Sequence, residues 1–557
     1  MRAFRPHRAP VQRVMRTGDG SVGQVYSLNF SRGTGLQWRV GGINVAGAND
    51  PTYTAQAADE GKVVSVLDLF GEHAIEVRAA GPVLAAPILV EGFNATTGWT
   101  ASAGAVLTAD GASKVQGAAS LQIAGTGTTS PKATKASIGA WTPSELGVLA
   151  WWFRLETDPN KQSTSSVRCC FVDEAATEHW ISGVSGTPAL YQTPAALFVG
   201  DYWHAYHISD LPALASQGAQ TLGLAVTAAS NVPSNAAVRV DALMAKAGGR
   251  PTVIIGFDDC YATQFTLGLE ILKARGLKAS AHVAQGYVGG SGRMTRDQLD
   301  VLYRDHGWDL CANSTDDGPF TGKGSVAAAV ADLVADRQYL RDNGWDRGAD
   351  FGCYPNGAIA TNGARVLVNS VTSTGDENIV LGAASPTVQA GWEVEGYNVP
   401  SGTTVLAVTD STHFSLSDDV PAQTKPMSFT APAPFGVGKL QAALIAAGFR
   451  QMRTTLNRGH VHTRFGWAWH WMLFHGNATS GLTIAAFQAL VDKTIQLGGT
   501  LELYTHGLVA GGGGGHTDPA FYAQAMDYVA AKRDAGQLDV LTKSELWARD
   551  GRSSVPV

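Results

Sequence analysis

The sequence predicts a multidomain chain, with all-β modules leading into an α/β domain that opens at Pro251 and is interrupted by a small β insertion. Three observations predict this. A length of 557 residues exceeds one ordinary domain. The first half is dominated by Ala, Thr, Ser and Val, with 65 Gly in the whole chain and only 16% charged residues, a composition that suits short strands joined by tight turns. From Pro251 onward, apolar strand-like runs alternate with segments of helical period.

Bulk properties exclude some functions. A net charge of −6 gives no case for nucleic acid or an anionic membrane as partner. The arginines at the start (Arg2, Arg5, Arg8, Arg13, Arg16) read as a basic terminus. The cysteines Cys169, Cys170, Cys260, Cys311 and Cys353 have neither zinc-cluster nor disulfide-scaffold spacing, and adjacent Cys169 and Cys170 point to opposite faces of a strand. They are expected to be packing residues. The N-terminus lacks an apolar signal-peptide core, and no apolar run is long enough to span a membrane. The expectation is a soluble protein without membrane insertion that reaches the outside by lysis or as part of a particle.

Taken in order, residues 1–28 are expected to form a leader or assembly segment. Residues 29–80 alternate apolar and polar positions, with Leu36 to Ile43 as a Trp-bearing strand, then Ala46-Gly47-Ala48, Tyr53 and Ala58-Asp59-Glu60-Gly61. This order resembles a small immunoglobulin-like module of bacterial surface and phage tail proteins. Residues 85–243 read as many short strands, including Gly117 to Ile123, Leu149 to Arg154, Tyr202 to His207 and Val238 to Leu243. They resemble a jelly-roll carbohydrate-binding sandwich. Trp151, Trp152 and Trp203 could stack on sugar rings, but core filling is the better reading for most of them.

In the α/β region the pattern predicts helices over Phe265–Arg275 with Gly276 as its stop, from Thr295 as cap, over Ser325–Asn343, Lys439–Ala447, Ile484–Leu497 and Pro519–Ala535. Strands are expected at Ala279–Val283, Trp308–Ala312, from Phe351, at Gln451–Thr455, Trp469–Phe474, Thr500–His506 and Val540-Leu541. Residues 367–436 lose the helical period and read as a β module inserted in the α/β domain, which resembles a repeat unit of phage tail proteins.

The stretch with the clearest chemistry is Pro251 to Tyr261, where Thr252-Val253-Ile254-Ile255 runs into Asp258-Asp259. This is a buried strand that ends at a polar rim. Two like charges ~4 Å apart cost roughly 4 kcal/mol at an effective dielectric of ~20, so solvent, hydrogen bonds or a cation must relieve them. A solvated turn with one Asp capping the next helix is the plain alternative.

Downstream motifs raise the functional reading. Gly256-Phe257-Asp258-Asp259, then Met294-Thr295-Arg296-Asp297-Gln298-Leu299, Tyr354-Pro355-Asn356-Gly357, Gly448 to Thr455, and Leu501 to Gly507 follow one another in an order that resembles the polysaccharide deacetylase domain (NodB-like, carbohydrate esterase family 4). The resemblance spans 250–366 and 437–557 and implies a distorted (β/α) barrel with its site at the strand ends. It implies Asp258 as base, His506 as acid, the Asn356 backbone N–H at the oxyanion, and a divalent metal on Asp259.

The second motif departs from the family. Where two metal-binding histidines are expected, the chain has Asn313 and Asp317, and the usual third-motif arginine is replaced near Gly352-Cys353. Either the site has lost metal and activity, or zinc gives way to Mg²⁺, Mn²⁺ or Ca²⁺ on Asp259, Asn313 and Asp317. His460, His462, His470, His475 and His516 are candidate replacement ligands, each more often a structural group. The run Gly511–Gly515 lacks a phosphate-loop lysine and is expected to be a flexible loop near His506. The combined expectation is a phage tail fibre-like protein on the virion tail. Its partners would be host-surface polysaccharide and other tail or baseplate proteins, and a homotrimer would follow by analogy alone. It would act as a metal-dependent carbohydrate deacetylase or, alternatively, as a non-catalytic receptor-binding or structural component.

Overall fold

A computed structural model describes 237–357 and 474–550 continuously, and 365–455 with short gaps at 386, 397–398, 401–402 and 431–438. It also describes Trp471-Met472 and most strands of the N-terminal half. Residues 1–14, 17–24, 29–34, 156–166, 181–203, 209–219, 229–236, 358–364, 456–470 and 551–557 lie outside it, as do shorter gaps before 150 and at 176–177 and 473.

The α/β domain is a ring of parallel strands. Its strands are β1 (Thr252–Asp258), β2 (Ser280–Ala284), β3 (Asp309–Ser314), β4 (Phe351–Cys353), β5 (Gln451–Thr454), β6 (Phe474–Ala478) and β7 (Thr500–Thr505). They pair in sequence order, and β7 pairs back on β1, which closes the barrel. A short β8 (Asp539–Val540) pairs with the start of β1, below the point where β1 meets β2. Parallel strands covered on both sides must be apolar throughout, and every residue of β1 is buried.

Helices α1 (Leu269–Lys273), α2 (Arg296–Arg304), α3 (Val326–Asp342), α4 (Lys439–Ala446), α5 (Ile484–Leu497) and α6 (Pro519–Asp534) lie between successive strands, and α7 (Lys543–Asp550) follows β8. Local chemistry sets their starts. Thr295 and Gln298 form a reciprocal capping box on α2, Ser325 caps α3, Thr483 caps α5, and Asp518 with Pro519 opens α6. Among the described residues, no helix is long and apolar enough to cross a membrane.

Two predicted elements shift. The helix expected over Phe265–Arg275 opens as a π-turn (Gln264–Gly268) before α1, because the buried Gln264 amide turns inward to hold two strand ends. The strand expected at Trp469–Phe474 instead begins at Phe474. Trp471 and Met472 are helical and buried, with Trp471 packed on Phe474 and Trp547.

The other modules are antiparallel. Strands between 365 and 430 form one six-stranded sheet with Trp392, Val394, Phe414 and Phe429 at its core. Residues 88–245 form two facing antiparallel sheets, a β-sandwich. Trp152 is 1% exposed, which makes it a core residue, whereas Trp203 and the Trp151 side chain lie outside the described part. The first module gathers Tyr26, Trp38, Val64 and Val66. Within the segment expected as a leader, Val25–Leu28 pairs with Thr52–Thr54, and Tyr26 is fully buried.

Candidate active site at the barrel mouth

Parallel register brings the first pair together. Asp258, the last residue of β1, is the registered neighbour of His282 in β2, and Asp258 Oδ1 lies 3.0 Å from His282 Nδ1. Arg453 of β5 reaches across the barrel to place Nη2 2.7 Å from Asp258 Oδ2. Gly476 on β6 makes this reach possible, because a Cβ there would stand 2.7 Å from Arg453 Cδ. The guanidinium lies over the Tyr504 ring (4.1 Å) and 3.6 Å from Glu502, which also pairs with Lys543 Nζ at 2.9 Å. Asp258, Arg453, Glu502 and Lys543 thus form a buried network whose charges balance.

This network fixes protonation. Burial would raise the Asp258 carboxyl, but the Arg453 charge and the His282 N–H outweigh it and hold the group well below the usual carboxylate range. Burial and the nearby Lys543 and Arg453 charges push His282 down to about 3, so its imidazole is neutral. An ionised carboxylate only accepts hydrogen bonds, so His282 must carry its proton on Nδ1.

The next residue faces the opposite way. Asp259 sits at φ 65, and the chain reversal sends its side chain into the mouth. Five of the eight non-glycine residues at positive φ among those described (Asp259, Cys260, Ser314, Asp317, Asn356) cluster at these strand ends. Such strain costs of order 1–3 kcal/mol per residue and persists where the surroundings over-determine it. Asn313 at the end of β3 donates from Nδ2 to Asp259 Oδ1 (3.0 Å) and to Asp317 Oδ1 (3.3 Å). Cys353 Sγ–H donates to Asn313 Oδ1 (3.0 Å), and burial keeps that thiol protonated. Burial, followed by the charges of Asp258 and Asp317, pushes Asp259 up to about 7; burial and the Asp258 charge likewise raise Asp317. Asp336, on the buried stripe of α3, accepts from Asn313 N (2.9 Å) and Gln285 N (3.0 Å) and fixes the β3 end.

His506 follows β7, with Nε2 3.6 Å from Asp259 Oδ2 and its side chain one-third exposed. Gln264 Nε2 donates to the carbonyls of both Asp258 and His506, tying the ends of β1 and β7 to one side chain. Asn356 Nδ2 donates to the Asp317 carbonyl (3.3 Å) on the β4 side. All six predicted residues, Asp258, Asp259, Asn313, Asp317, Asn356 and His506, therefore meet at one mouth. His460, His462 and His470 lie outside the described residues, as does the His475 side chain. His516 packs edge-on against Tyr261 (4.7 Å) and 6.0 Å from His506.

The glycine run is a hydrogen-bonded turn and not the flexible loop expected. Gly511 to Gly515 all have positive φ, a conformation that only glycine adopts freely. Gly513 N donates to His516 O and Gly511 N to Asp518, while Gly515 O accepts from His506 N (3.1 Å). A Cβ on Gly515 would lie 2.0 Å from His506 Nδ1, whereas one on Gly513 would meet nothing within 4 Å. Gly515→Ala should therefore displace the imidazole and lower any turnover at the mouth by about tenfold to a hundredfold. Gly513→Ala, which carries comparable backbone strain, should leave turnover within about twofold. Thermal melts and turnover measured on both variants separate strain from displacement; equal turnover in the two would refute the contact.

The structure tests metal fit in two places. The Asn313 amide offers N–H to both carboxylates, which is the relief a cation would otherwise give. Turned over, it would join Asp259 and Asp317 as an all-oxygen set suited to Mg²⁺, Mn²⁺ or Ca²⁺. A second, buried trio, Asp258, His282 and Cys353, offers O, N and S ligand atoms within 4.8 Å of one another. There both Asp258 oxygens are already engaged and the Arg453 and Lys543 charges stand close by, so the mouth set fits a cation better.

Sequence reasoning missed His282, Gln264, Cys353 and Asp336 and gave Arg453 no role. A histidine within an apolar strand and a carboxylate on the apolar stripe of a helix were the available signals. Cys353 and Arg453 are registered partners, so Arg453 stands one strand away from the place where the resemblance implies an arginine.

No protein-family model and no curated protein matches the chain. Among solved structures it is similar to a family 4 acetyl xylan esterase from Clostridium thermocellum in complex with a cobalt ion (12% identity, 55% of this chain, 100% of that one, TM-score 0.28). It is also similar to carbohydrate-binding modules of the β-sandwich superfamily (15% identity, 43% and 98%, TM-score 0.26). A third likeness is to the Streptococcus pyogenes deacetylase PplD in complex with acetate (19% identity, TM-score 0.17), of which the chain spans 46% while using 19% of its own length. At such scores these likenesses carry no functional argument, and the barrel assignment rests on strand order and register.

Proposed function

We propose that the barrel mouth removes acetyl groups from a polysaccharide. The observation that carries this reading is the convergence of an ionised Asp258, the Asp259–Asn313–Asp317 cluster and His506 at the C-terminal strand ends. Asp258 takes a proton from water as the water oxygen bonds to the acetyl carbon. The carbon–nitrogen or carbon–oxygen bond to the sugar then breaks, and His506 gives its proton to the departing amine or alcohol. The Asn356 backbone N–H is assigned to the developing oxyanion. A hard divalent cation held by Asp259, Asp317 and a turned Asn313 would polarise the acetyl carbonyl and acidify the water. Acetate release from acetylated glycans with Mg²⁺, Mn²⁺, Ca²⁺ or Zn²⁺ tests the reading, and no release with any of them overturns it.

We further propose, from the sequence resemblance of the first and inserted modules to phage tail repeats, that the chain works on a virion tail against host-surface polysaccharide, beside other tail or baseplate proteins. A second reading, sugar binding without chemistry, is favoured by one observation. The Asn313 amide already relieves both carboxylates by donating to them. That reading predicts glycan binding that survives Asp258→Ala and His506→Ala.

The cation also has a signature in stability. The Asp259 carboxyl is raised in the folded protein, from an unfolded value of about 4, so its contribution is fully present below that value and is lost as pH rises through about 7. In chelator, the melting temperature should fall between pH 5 and pH 8. Millimolar Mn²⁺ or Ca²⁺ should restore it at pH 8 more than at pH 5, and Asp317→Asn should weaken that rescue. An unchanged melting temperature with every cation at both pH values would remove the cation from the site.

A further inference from the structure

One cation at the mouth has no role in the chemistry above. Arg293 lies on the segment between β2 and α2, pinned beside the end of β1 by Ala262 N to Gly292 O (2.9 Å), Met294 N to Cys260 O (2.6 Å) and a bridge between Tyr261 and Arg293. Its guanidinium is sandwiched, with Cζ 3.8 Å from the Tyr261 ring centre and 4.2 Å from that of Tyr287. Nη1 donates to the Asp259 carbonyl at the turn that aims Asp259. Among the described residues Arg293 makes no ion pair. Arg293, Tyr261 and Tyr287 are all partly exposed, beside His506 and His516.

Charge counting says what this cation can serve. Asp258 is matched by Arg453, and Glu502 by Lys543. Arg293 itself stands near Asp259 and Asp317 and favours their charged forms. A divalent cation held by those carboxylates would take over that role and leave the Arg293 charge for an added anion at the entrance. Two aromatic faces fix the plane of the guanidinium, so its remaining donors form a fork whose geometry suits two oxygens of one anionic group.

We infer that Arg293, clamped between Tyr261 and Tyr287, is an anion-reading subsite that selects an acidic glycan, with a carboxylate or phosphate on or beside the acetylated sugar. The inference rests on the polysaccharide reading above and narrows its substrate class. A lysine could supply the charge but not the planar fork, and a neutral side chain could supply neither.

Calorimetric titration of the full chain with saturating Mn²⁺ tests this with three probes: an acetylated oligouronate, an oligosaccharide bearing glycerol phosphate, and an acetylated neutral oligosaccharide. At least one acidic probe should bind about tenfold or more tightly than the neutral one, and added salt should erode the difference. Whichever acidic probe binds better names the source of the anion. Arg293→Gln should abolish the preference by weakening the acidic probe about tenfold more than the neutral one, whose binding also feels the loss of the Nη1 bond to the Asp259 carbonyl. Arg293→Lys keeps the aromatic clamp and so guards against misfolding; it should lose most of the uronate preference and retain part of the phosphate preference. The inference fails if the wild type shows no charge preference, or if the variants weaken acidic and neutral probes alike. Acetate assayed in the same samples separates it from the parent reading. Preference without acetate release overturns the hydrolase and keeps the subsite, whereas acetate release without preference does the reverse.

Discussion

Asp258→Asn is expected to lower acetate release by about 10²–10⁴-fold while the barrel stays folded. The amide has the shape of the carboxylate but cannot take a proton from water. Arg453 and the neutral His282 keep Asp258 ionised at neutral pH, the form that the proposed base requires. The substitution leaves one buried positive charge less well matched, but Glu502 still lies beside Arg453, which limits the structural cost. Acetate release, far-ultraviolet circular dichroism and glycan titration on the same preparation give a complete reading. A folded variant that still releases acetate at the wild-type rate would remove Asp258 from the role of base. Unchanged glycan binding with no acetate from either protein would favour the non-catalytic reading.

Arg453→Met should destabilise the domain by about 3–5 kcal/mol, the usual cost of stranding a buried charge by removing its partner. Arg453 is 2% exposed and faces Asp258 at 2.7 Å and Glu502 at 3.6 Å, so its loss leaves two carboxylates in the barrel interior with Lys543 as the remaining cation. The second consequence is chemical. Without the guanidinium, burial dominates and the Asp258 carboxyl rises, so the acid limb of the pH–rate profile should move to higher pH. Urea denaturation measures the first effect and a pH–rate profile the second. The double variant Asp258→Asn, Arg453→Met should cost less than the sum of the two single changes, because the stranded carboxylate is gone. Strict additivity would show that the pair is not coupled.

Much of the barrel was legible because its signals are local. The apolar run into Asp258-Asp259, the cap at Thr295 with Gln298, and the helical stretch after Ser325 each depend on neighbours within a few residues. The misread elements are those that tertiary contacts overrode. Gln264 opens a π-turn because its amide is needed by Asp258 and His506, which is 242 residues away. The glycine run forms a defined turn because His506 and His516 hold it.

The sequence by itself determined which groups could do chemistry: two carboxylates at a strand end, a histidine at another, and an asparagine and an aspartate four residues apart at a third. Those are facts of residue type and order. Only the tertiary structure decided what the groups do to one another. Register sets His282 against Asp258, and the absence of a side chain at Gly476 lets Arg453 reach that same carboxylate. Neighbouring charges then separate the two buried aspartates: Arg453 holds Asp258 ionised against its own burial, whereas burial and like charges drive Asp259 toward its neutral form. The physical reason is that protonation and orientation depend on distance and dielectric, and both are set by strand pairing between residues far apart in the chain.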